Sequence, residues 1–444
     1  MPTKIAVIGM GYVGIPAAAL LADAPGLDVT GVQRRSPRSG WKIEVLNSGR
    51  SPFEGGEPGL SDLSARVVTK GTFRVVDDFS VLGKMDIILV DVQTPTEGPD
   101  HQPLYESLKE VSRQIGCYMK KGVLIVTEST VAPGTTLHVV KPILERKSGL
   151  KAGRDFSLAY SYERVMPGKL IDYIVNLPRI VGGIDKKSER RAVEMYKKIV
   201  RAGIHSTDVL TAETSKVMEN AYRDVNIAFS NEMALIAEKL GVDVYEIRKL
   251  VNSRSERHMH LPGAGVGGHC LPKDTWLLRY GLRKYADPEM ETRFVCLARE
   301  INDFMPLHLT GLIRGALRKK GRKLENSRVA ILGVAYLEDS DDTRNTPAYR
   351  LISELEALGV EIIAHDPHVR DFPEAEVTRD LDAALKGADC AAIVTRHRPY
   401  LSLNLSQAKK LMRTPIIVDG RNVLDREKAE AAGFLYRGIG KGKK

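Results

Sequence analysis

Cys270 closes a run in which four of six residues are glycine, within Gly263-Ala-Gly-Val-Gly-Gly-His-Cys-Leu-Pro-Lys-Asp274. Such a run leaves bare backbone able to press against a ligand and to take dihedrals that other residues avoid. A helical pattern follows at once: Pro272 suits its first turn, and Leu277, Leu278 and Leu282 give it an apolar side. A thiol just ahead of a helix N-terminus feels the positive end of the dipole, which favours the thiolate. Asp274 lies one turn along. Two readings compete: a glycine-lined pocket with an activated thiol, or a flexible loop beside a buried, inert cysteine.

Two more polar residues could serve such a thiol. Lys216 and Asn220 are four apart in a stretch from Thr211 to Gly241 that is free of Gly and Pro until its end. That spacing puts both on one face of a long helix, where a cation and an amide aimed at one point could hold an oxyanion. The alternative is a solvated polar stripe. A helix of this length is expected to bridge domains or to form a dimer contact.

The elements that must position these groups begin at the N-terminus. Lys4-Ile-Ala-Val-Ile-Gly9 reads as a short buried strand that runs into Gly9-Met-Gly-Tyr-Val-Gly14, and Ile15–Leu21 then reads as a small-residue helix. A GxGxxG between a strand and a helix is a dinucleotide fingerprint, with the pyrophosphate on the helix N-terminus; a tight turn without ligand is the alternative. Gly9, Gly11, Tyr12, Val13 and Gly14 are therefore cofactor-binding candidates. The next strand, Asp28–Val32, ends in Gln33 rather than in an acid, and Arg34 and Arg35 follow. Gln33 can still bond a ribose, whereas two arginines could accept a 2′-phosphate, so both NAD and NADP stay open here.

Strands at Asp86–Val92 and Gly122–Thr130 alternate with helical patterns near 104–120 and 135–147, which predicts a parallel, doubly wound sheet. Ligands of such sheets sit beyond the strand carboxyl ends. Thr94 and Pro95 of Gln93-Thr-Pro-Thr96, Thr130, and Glu163 all fall there; a surface ion pair with Arg164 is the plainer reading of Glu163. After a further helical run, strands at Ser327–Gly333, Val360–Asp366, Ala388–Thr395 and Pro415–Asp419 predict a second α/β domain without GxGxxG. The expected fold is α/β: two Rossmann-like doubly wound domains joined by a helical core with one long central helix.

Composition narrows the function classes. The chain has 444 residues, 43% hydrophobic and 27% charged, as in ordinary multi-domain globular proteins. The formal charge of +10 suits sugar-diphosphate substrates, and no interleaved basic and aromatic motif points to nucleic acid. Cys117, Cys270, Cys296 and Cys390 are scattered without a CxxC pair, which predicts a reducing, cytoplasmic setting. Met-Pro-Thr-Lys followed at once by a strand predicts no signal peptide, and no run approaches a membrane span. His258, His260, His269 and Cys270 could supply zinc ligands, but their spacing matches no compact zinc module, so no metal is expected. A non-catalytic dinucleotide sensor is a further alternative; it would need neither Cys270 nor Lys216 nor Asp274.

Over essentially its full length the chain resembles the UDP-glucose/GDP-mannose dehydrogenase family, the nucleotide-sugar 6-dehydrogenases. The resemblance is carried by Gly9–Gly14, Glu57-Pro-Gly-Leu60, Glu128-Ser-Thr-Val131, Glu163-Arg164, Glu213 through Asn220, Gly263–Asp274 and Asp342-Thr-Arg-Asn-Thr-Pro347. It implies an N-terminal NAD-binding Rossmann domain over 1–205, a central helical dimerisation domain with the catalytic loop over 206–322, and a C-terminal UDP-sugar-binding domain over 323–444. It also implies a homodimer and oxidation of a sugar C6 alcohol to the carboxylate, with NAD as cofactor. Cys270 would attack the C6 aldehyde, Lys216 and Asn220 would steady the oxyanion, and Asp274 would position or activate a water. Glu163 would assist thioester formation or hydrolysis, Thr130 would place the water, and Arg344 would reach the substrate diphosphate. Arg164, Gly263, Gly265 and Gly267 complete the expected substrate contacts.

Glu163-Arg-Val-Met-Pro-Gly168 and Pro262–Cys270 look more like the branch acting on UDP-N-acetylhexosamines such as UDP-N-acetylmannosamine, whereas Leu271-Pro-Lys-Asp-Thr275 is similar to the UDP-glucose branch. The N-acetylated substrate is favoured, with UDP-glucose the alternative. Departures from the family pattern are Gln33 for an acid, Gln93 and Tyr162 for prolines, and Leu337 for a lysine common at that place.

Overall fold

The structure, a computed structural model, describes residues 1–37, 39–53, 57–98 and 100–442. They form two compact units: Met1–Glu219 with Trp276–Glu291, and Asn220–Thr275 with Thr292 onward.

The first unit is built on eight strands. Their side-by-side order is Ile204–Asp208, Arg179–Gly183, Ser157–Tyr160, Leu124–Thr127, Ile87–Val90, Thr3–Ile8, Leu27–Val32 and Phe73–Val76. Ile5, Val7, Val29, Leu89 and Val126 point into one core, whereas Ala6, Ile8, Ile88 and Ile125 point into the other. Burial on both faces explains why these strands read as continuous apolar runs rather than as alternation. The helices Gly14–Asp23 and Glu106–Tyr118 supply residues to opposite cores. Strand order reverses around Thr3–Ile8, so the glycine turn that follows Ile8 opens at the switch point where such sheets bind ligands.

The sheet is parallel except at one step, where Arg179–Gly183 runs antiparallel to Ser157–Tyr160. An antiparallel neighbour starts at the edge where its partner ended. The intervening 161–178 therefore stays at the carboxyl edge of the sheet, and Glu163 and Arg164 stay with it.

The second unit carries six parallel strands in the order Val377–Thr378, Glu361–His365, Arg328–Leu332, Cys390–Ile393, Ile416–Asp419 and Leu435–Gly438. The helix Arg293–Lys319 lays Met305, Leu309 and Ile313 into the core that Val329, Ile331 and Val418 share. The helix Pro347–Ala357 starts at Thr346, whose side chain accepts the Ala348 N–H, with proline in its first turn. The helix Val209–Leu240 is continuous, as the Gly- and Pro-free stretch predicts. Among the described residues, no helix is long and apolar enough to cross a membrane.

Candidate active site

In the first unit the glycine turn is shaped by the protein on two sides and open on the third. Gly9 sits at φ +106°, and a Cβ there would meet the Asp91 carbonyl oxygen at 2.2 Å. A Cβ on Gly14 would meet the Gly9 oxygen at 2.0 Å, whereas one on Gly11 would meet nothing within 4 Å. Val13 stands at the start of the helix Gly14–Asp23 without a side-chain cap. Open backbone at Gly11 beside an uncapped helix start is the cradle that a pyrophosphate needs. Tyr12 stacks on Phe53 with ring centroids 4.5 Å apart. These features fit a bound dinucleotide.

Gln33 is fixed as a hinge of this turn. Its Oε1 accepts the Met10 N–H at 3.0 Å, and its Nε2 donates to Ser39 Oγ at 3.0 Å. Thr94, nearly buried, donates its hydroxyl to the Thr130 carbonyl, and the Pro95 carbonyl accepts the Leu104 N–H. Thr94, Pro95 and Thr130 thus tie together the loops that leave Ile87–Val90 and Leu124–Thr127.

Beneath these loops lies a buried ionic cluster. Glu128 accepts the Tyr196 hydroxyl at 2.6 Å and the Arg179 guanidinium, and Asp91 stands against it. Burial first, then the Glu128 charge, pushes the Asp91 carboxyl well above its usual range. Asp91 Oδ2 and Glu128 Oε2 are both buried without another hydrogen-bond partner. A proton on Asp91, donated to Glu128, satisfies both.

Glu163 lies half-buried at the carboxyl edge, and its carboxylate accepts the Val165 N–H. Arg164 pairs with Glu219 at 2.9 Å and donates to the Pro178 carbonyl, so the alternative of a surface ion pair between Glu163 and Arg164 gives way to a pair with Glu219. Lys216, 5% exposed, donates to the backbone carbonyl of Glu163 at 2.8 Å. Glu57, which opens the Glu-Pro-Gly-Leu motif, accepts the Gly168 N–H at 2.6 Å and so holds the far end of the Glu163 segment.

In the second unit Cys270 is exposed and immediately precedes the helix Leu271–Tyr285. Its backbone carbonyl accepts the N–H groups of Lys273 and Asp274, as the first turn of a helix requires. Cys390, by contrast, is fully buried, and burial pushes its thiol far above the usual range. Of the two, Cys270 is the thiol a substrate can reach. Asp274 is fully buried between two donors: Asn220 Nδ2 at 2.6 Å and Lys273 Nζ at 2.6 Å. His269 is held neutral, its pKa lowered to about 4 by burial and by the cations of Lys273 and Arg344.

The glycines of this loop answer to packing. A Cβ on Gly263 would meet Arg421, one on Gly265 would meet Pro347, and one on Gly267 would meet Tyr336 and the Asn345 carbonyl. Arg421 also donates to the Gly265 carbonyl at 3.0 Å, and the Gly268 N–H donates to the Arg344 carbonyl at 2.8 Å. Arg344 itself forks onto Asp342 from within the same motif. The sequence alone does not mark Lys273 or Arg421. Lys273 precedes Asp274, so its place in the helix turn was readable, but its pairing was not; Arg421 lies more than a hundred residues away and gives no local signal.

The histidines weighed as zinc ligands do not gather with Cys270 into a cluster. His258 and His260 meet edge to face, and the one group of three ligand-type side chains found among the described residues is Asp339, His368 and His397. Both His397 ring nitrogens already have partners, the Asp339 N–H and the Asp366 carboxylate.

Comparison with known proteins agrees with this arrangement. Residues 3–200 match the NAD binding domain of the UDP-glucose/GDP-mannose dehydrogenase family, 210–304 match its central domain, and 330–426 match its UDP binding domain. The UDP-N-acetyl-D-mannosamine dehydrogenase of Pyrococcus horikoshii is 38% identical over 99% of each chain, and its solved structure superposes with a TM-score of 0.91. A solved NDP-N-acetyl-D-galactosaminuronic acid dehydrogenase from Methanosarcina mazei is 43% identical, with a TM-score of 0.90 over 99% of this chain and 95% of that one. The UDP-N-acetyl-D-mannosamine dehydrogenase of Methanocaldococcus jannaschii is 35% identical over 99% of this chain and 97% of its own. The chain belongs to the UDP-glucose/GDP-mannose dehydrogenase family and is an NAD-dependent nucleotide-sugar dehydrogenase.

Proposed function

We propose that this protein oxidises the C6 alcohol of a UDP-N-acetylhexosamine to the carboxylate, with UDP-N-acetylmannosamine the favoured sugar. The observation that carries the reading is the exposed Cys270 at a helix start, with Asp274 one turn on and held by Asn220 and Lys273. Bound NAD⁺ supplies the hydride acceptor for each of the two oxidations. Gly9, Gly11, Tyr12, Val13, Gly14, Gln33, Thr94, Pro95 and Thr130 would hold it.

Cys270 attacks the C6 aldehyde with its sulfur, and the thiohemiacetal so formed loses hydride to become a thioester. Water then adds to the acyl carbon, the C–S bond breaks, and the carboxylate leaves with the thiol restored. Lys216 and Asn220 stabilise the oxyanion of each tetrahedral species. Asp274 and Thr130 orient the water, and Glu163 moves a proton to or from it. Asp274 keeps one carboxylate oxygen on the Lys273 ammonium, which fixes its orientation. Arg344, Arg164, Gly263, Gly265 and Gly267 are assigned to the substrate.

The names of the Pyrococcus and Methanocaldococcus relatives support the manno sugar. The Methanosarcina neighbour at 43% identity favours a second reading, an NDP-N-acetylgalactosamine substrate. UDP-glucose remains the alternative outside the N-acetylated class. Three domains over 1–205, 206–322 and 323–444 and a cytoplasmic homodimer complete the proposal. Tyr222, Phe229 and Ile236, spaced by seven on the helix Val209–Leu240 and 70%, 51% and 45% exposed, are the face we assign to the dimer. A panel of UDP-sugars, followed by the absorbance of reduced nicotinamide, tests the reading. Turnover of UDP-N-acetylmannosamine with two reduced cofactors per sugar is expected; turnover of UDP-glucose alone would overturn it.

A further inference from the structure

We infer that Glu44 and Asp77, by neutralising Arg35, make the first unit select a dinucleotide without a 2′-phosphate. The inference rests on the NAD-binding reading of this unit and is independent of which sugar is oxidised.

In glycine-turn sheets the side chain at the end of the second strand meets the adenosine ribose, and an acid there repels a 2′-phosphate. This chain has Gln33 at that place, which carries no charge. Its amide is also committed: the oxygen accepts Met10 N–H, and the nitrogen donates to Ser39 and to the Arg34 carbonyl. Gln33 therefore orders the turn but offers no repulsion. Two residues on, Arg35 has the side chain that commonly captures a 2′-phosphate. Local sequence alone therefore leaves an NADP site open.

The fold supplies the missing negative charge from two other elements. Val32 pairs with Val76 in the sheet, and the Gln33 N–H donates to the Val76 carbonyl at 2.9 Å. The register thus sets Asp77 across from Gln33 at the same carboxyl edge. Asp77 accepts Arg35 Nε at 2.9 Å. Glu44, from the helix Trp41–Asn47, accepts Arg35 Nη1 at 2.9 Å. Two carboxylates face one guanidinium, so the cluster carries a net negative charge where Arg35 alone would be positive. A ribose hydroxyl tolerates that charge; a phosphate dianion is repelled by both carboxylates and finds Arg35 already engaged. All three side chains are exposed, so the ion pairs add little to stability. Their consequence is that Arg35 is not presented as a bare cation.

The test is isothermal titration of the full-length protein with NAD⁺, NADP⁺ and the fragment 2′,5′-ADP, which reads binding without turnover. Wild type is expected to bind NAD⁺ and to discriminate against the two 2′-phosphates. In Glu44→Gln/Asp77→Asn, affinity for NADP⁺ and 2′,5′-ADP should rise by roughly tenfold or more, with each single variant intermediate. Adding Arg35→Ala to the double variant should reduce the gain, leaving only the part due to relieved repulsion. An unchanged NADP⁺ affinity in the double variant, or a gain that Arg35→Ala leaves undiminished, would overturn the inference. Wild type that binds neither dinucleotide would instead overturn the cofactor reading, and the inference with it.

Discussion

Asp274 accepts the side-chain amide of Asn220 at 2.6 Å while no part of its carboxylate reaches solvent. Its other oxygen takes Lys273 Nζ, also at 2.6 Å. The acid one turn beyond Cys270 is thus a buried charge with two assigned donors, held in one orientation.

Removing one donor leaves that charge stranded. Lys273→Met should lower unfolding stability by about 3 kcal/mol, because a buried carboxylate loses its ion pair. Asn220→Ala, which removes a neutral donor, should cost about 1–2 kcal/mol. Urea unfolding of both variants checks the order; a larger loss in Asn220→Ala would mean that Lys273 is not the principal partner.

The glycine turn predicts two different failures. Gly11→Ala places a Cβ in open space, so the protein should fold with an unchanged melting temperature and bind NAD⁺ more weakly. Gly14→Ala drives a Cβ into the Gly9 carbonyl and should destabilise the fold itself, by about 1–3 kcal/mol. Differential scanning calorimetry with NAD⁺ titration separates them. Equal loss of stability in both would contradict the geometry.

Glu213 gives a pH signature. It is fully buried, accepts the N–H groups of Gly134 and Thr136, and is pushed up to about 7 by burial. A carboxyl whose folded pKa is raised binds its proton more tightly in the native state. Its contribution is therefore complete below about pH 4.5 and is lost as pH rises towards and through about 7. The stability of wild type relative to Glu213→Gln should fall between pH 5 and pH 8 by about 2 kcal/mol. Denaturant melts at the two pH values measure it, and a difference that grows with pH would contradict the assignment.

The buried pair below the cofactor loops makes a third contrast. If Asp91 carries the proton it shares with Glu128, Asp91→Asn keeps a donor in place and should change stability by less than about 1 kcal/mol. Glu128→Ala strands Arg179 and should cost about 3–5 kcal/mol. A protonated carboxyl stretch in the infrared spectrum that persists above pH 8, where Glu213 is ionised, and is lost in Asp91→Asn is the direct observable.

Much of this was legible in the sequence because the signals were local. Ile5 to Ile8 running into Gly9, Gly11 and Gly14, the Gly- and Pro-free stretch of the long helix, and Cys270 ahead of Pro272 each announce their own geometry within one or two turns of chain. What stayed hidden depends on register. The antiparallel turn-back at Arg179 follows no change of composition, since a buried strand reads the same in either direction. The pairing of Arg35 with Asp77 needs strands forty residues apart to be set side by side, and that of Arg164 with Glu219 needs a helix to arrive from elsewhere. The packing around the glycines before Cys270 is equally non-local, since a Cβ at Gly263, Gly265 or Gly267 would meet Arg421, Pro347 or Tyr336.

The central claim is that Cys270 carries the sugar covalently. Rapid quenching of the enzyme during turnover of UDP-N-acetylmannosamine and NAD⁺, followed by intact-protein and peptide mass spectrometry, tests it most directly. The account predicts an acyl adduct on the peptide that contains Cys270, more abundant in Asp274→Asn, and no adduct and no uronate in Cys270→Ser, although that variant still binds both ligands. Full oxidation to the uronate by Cys270→Ser would contradict it.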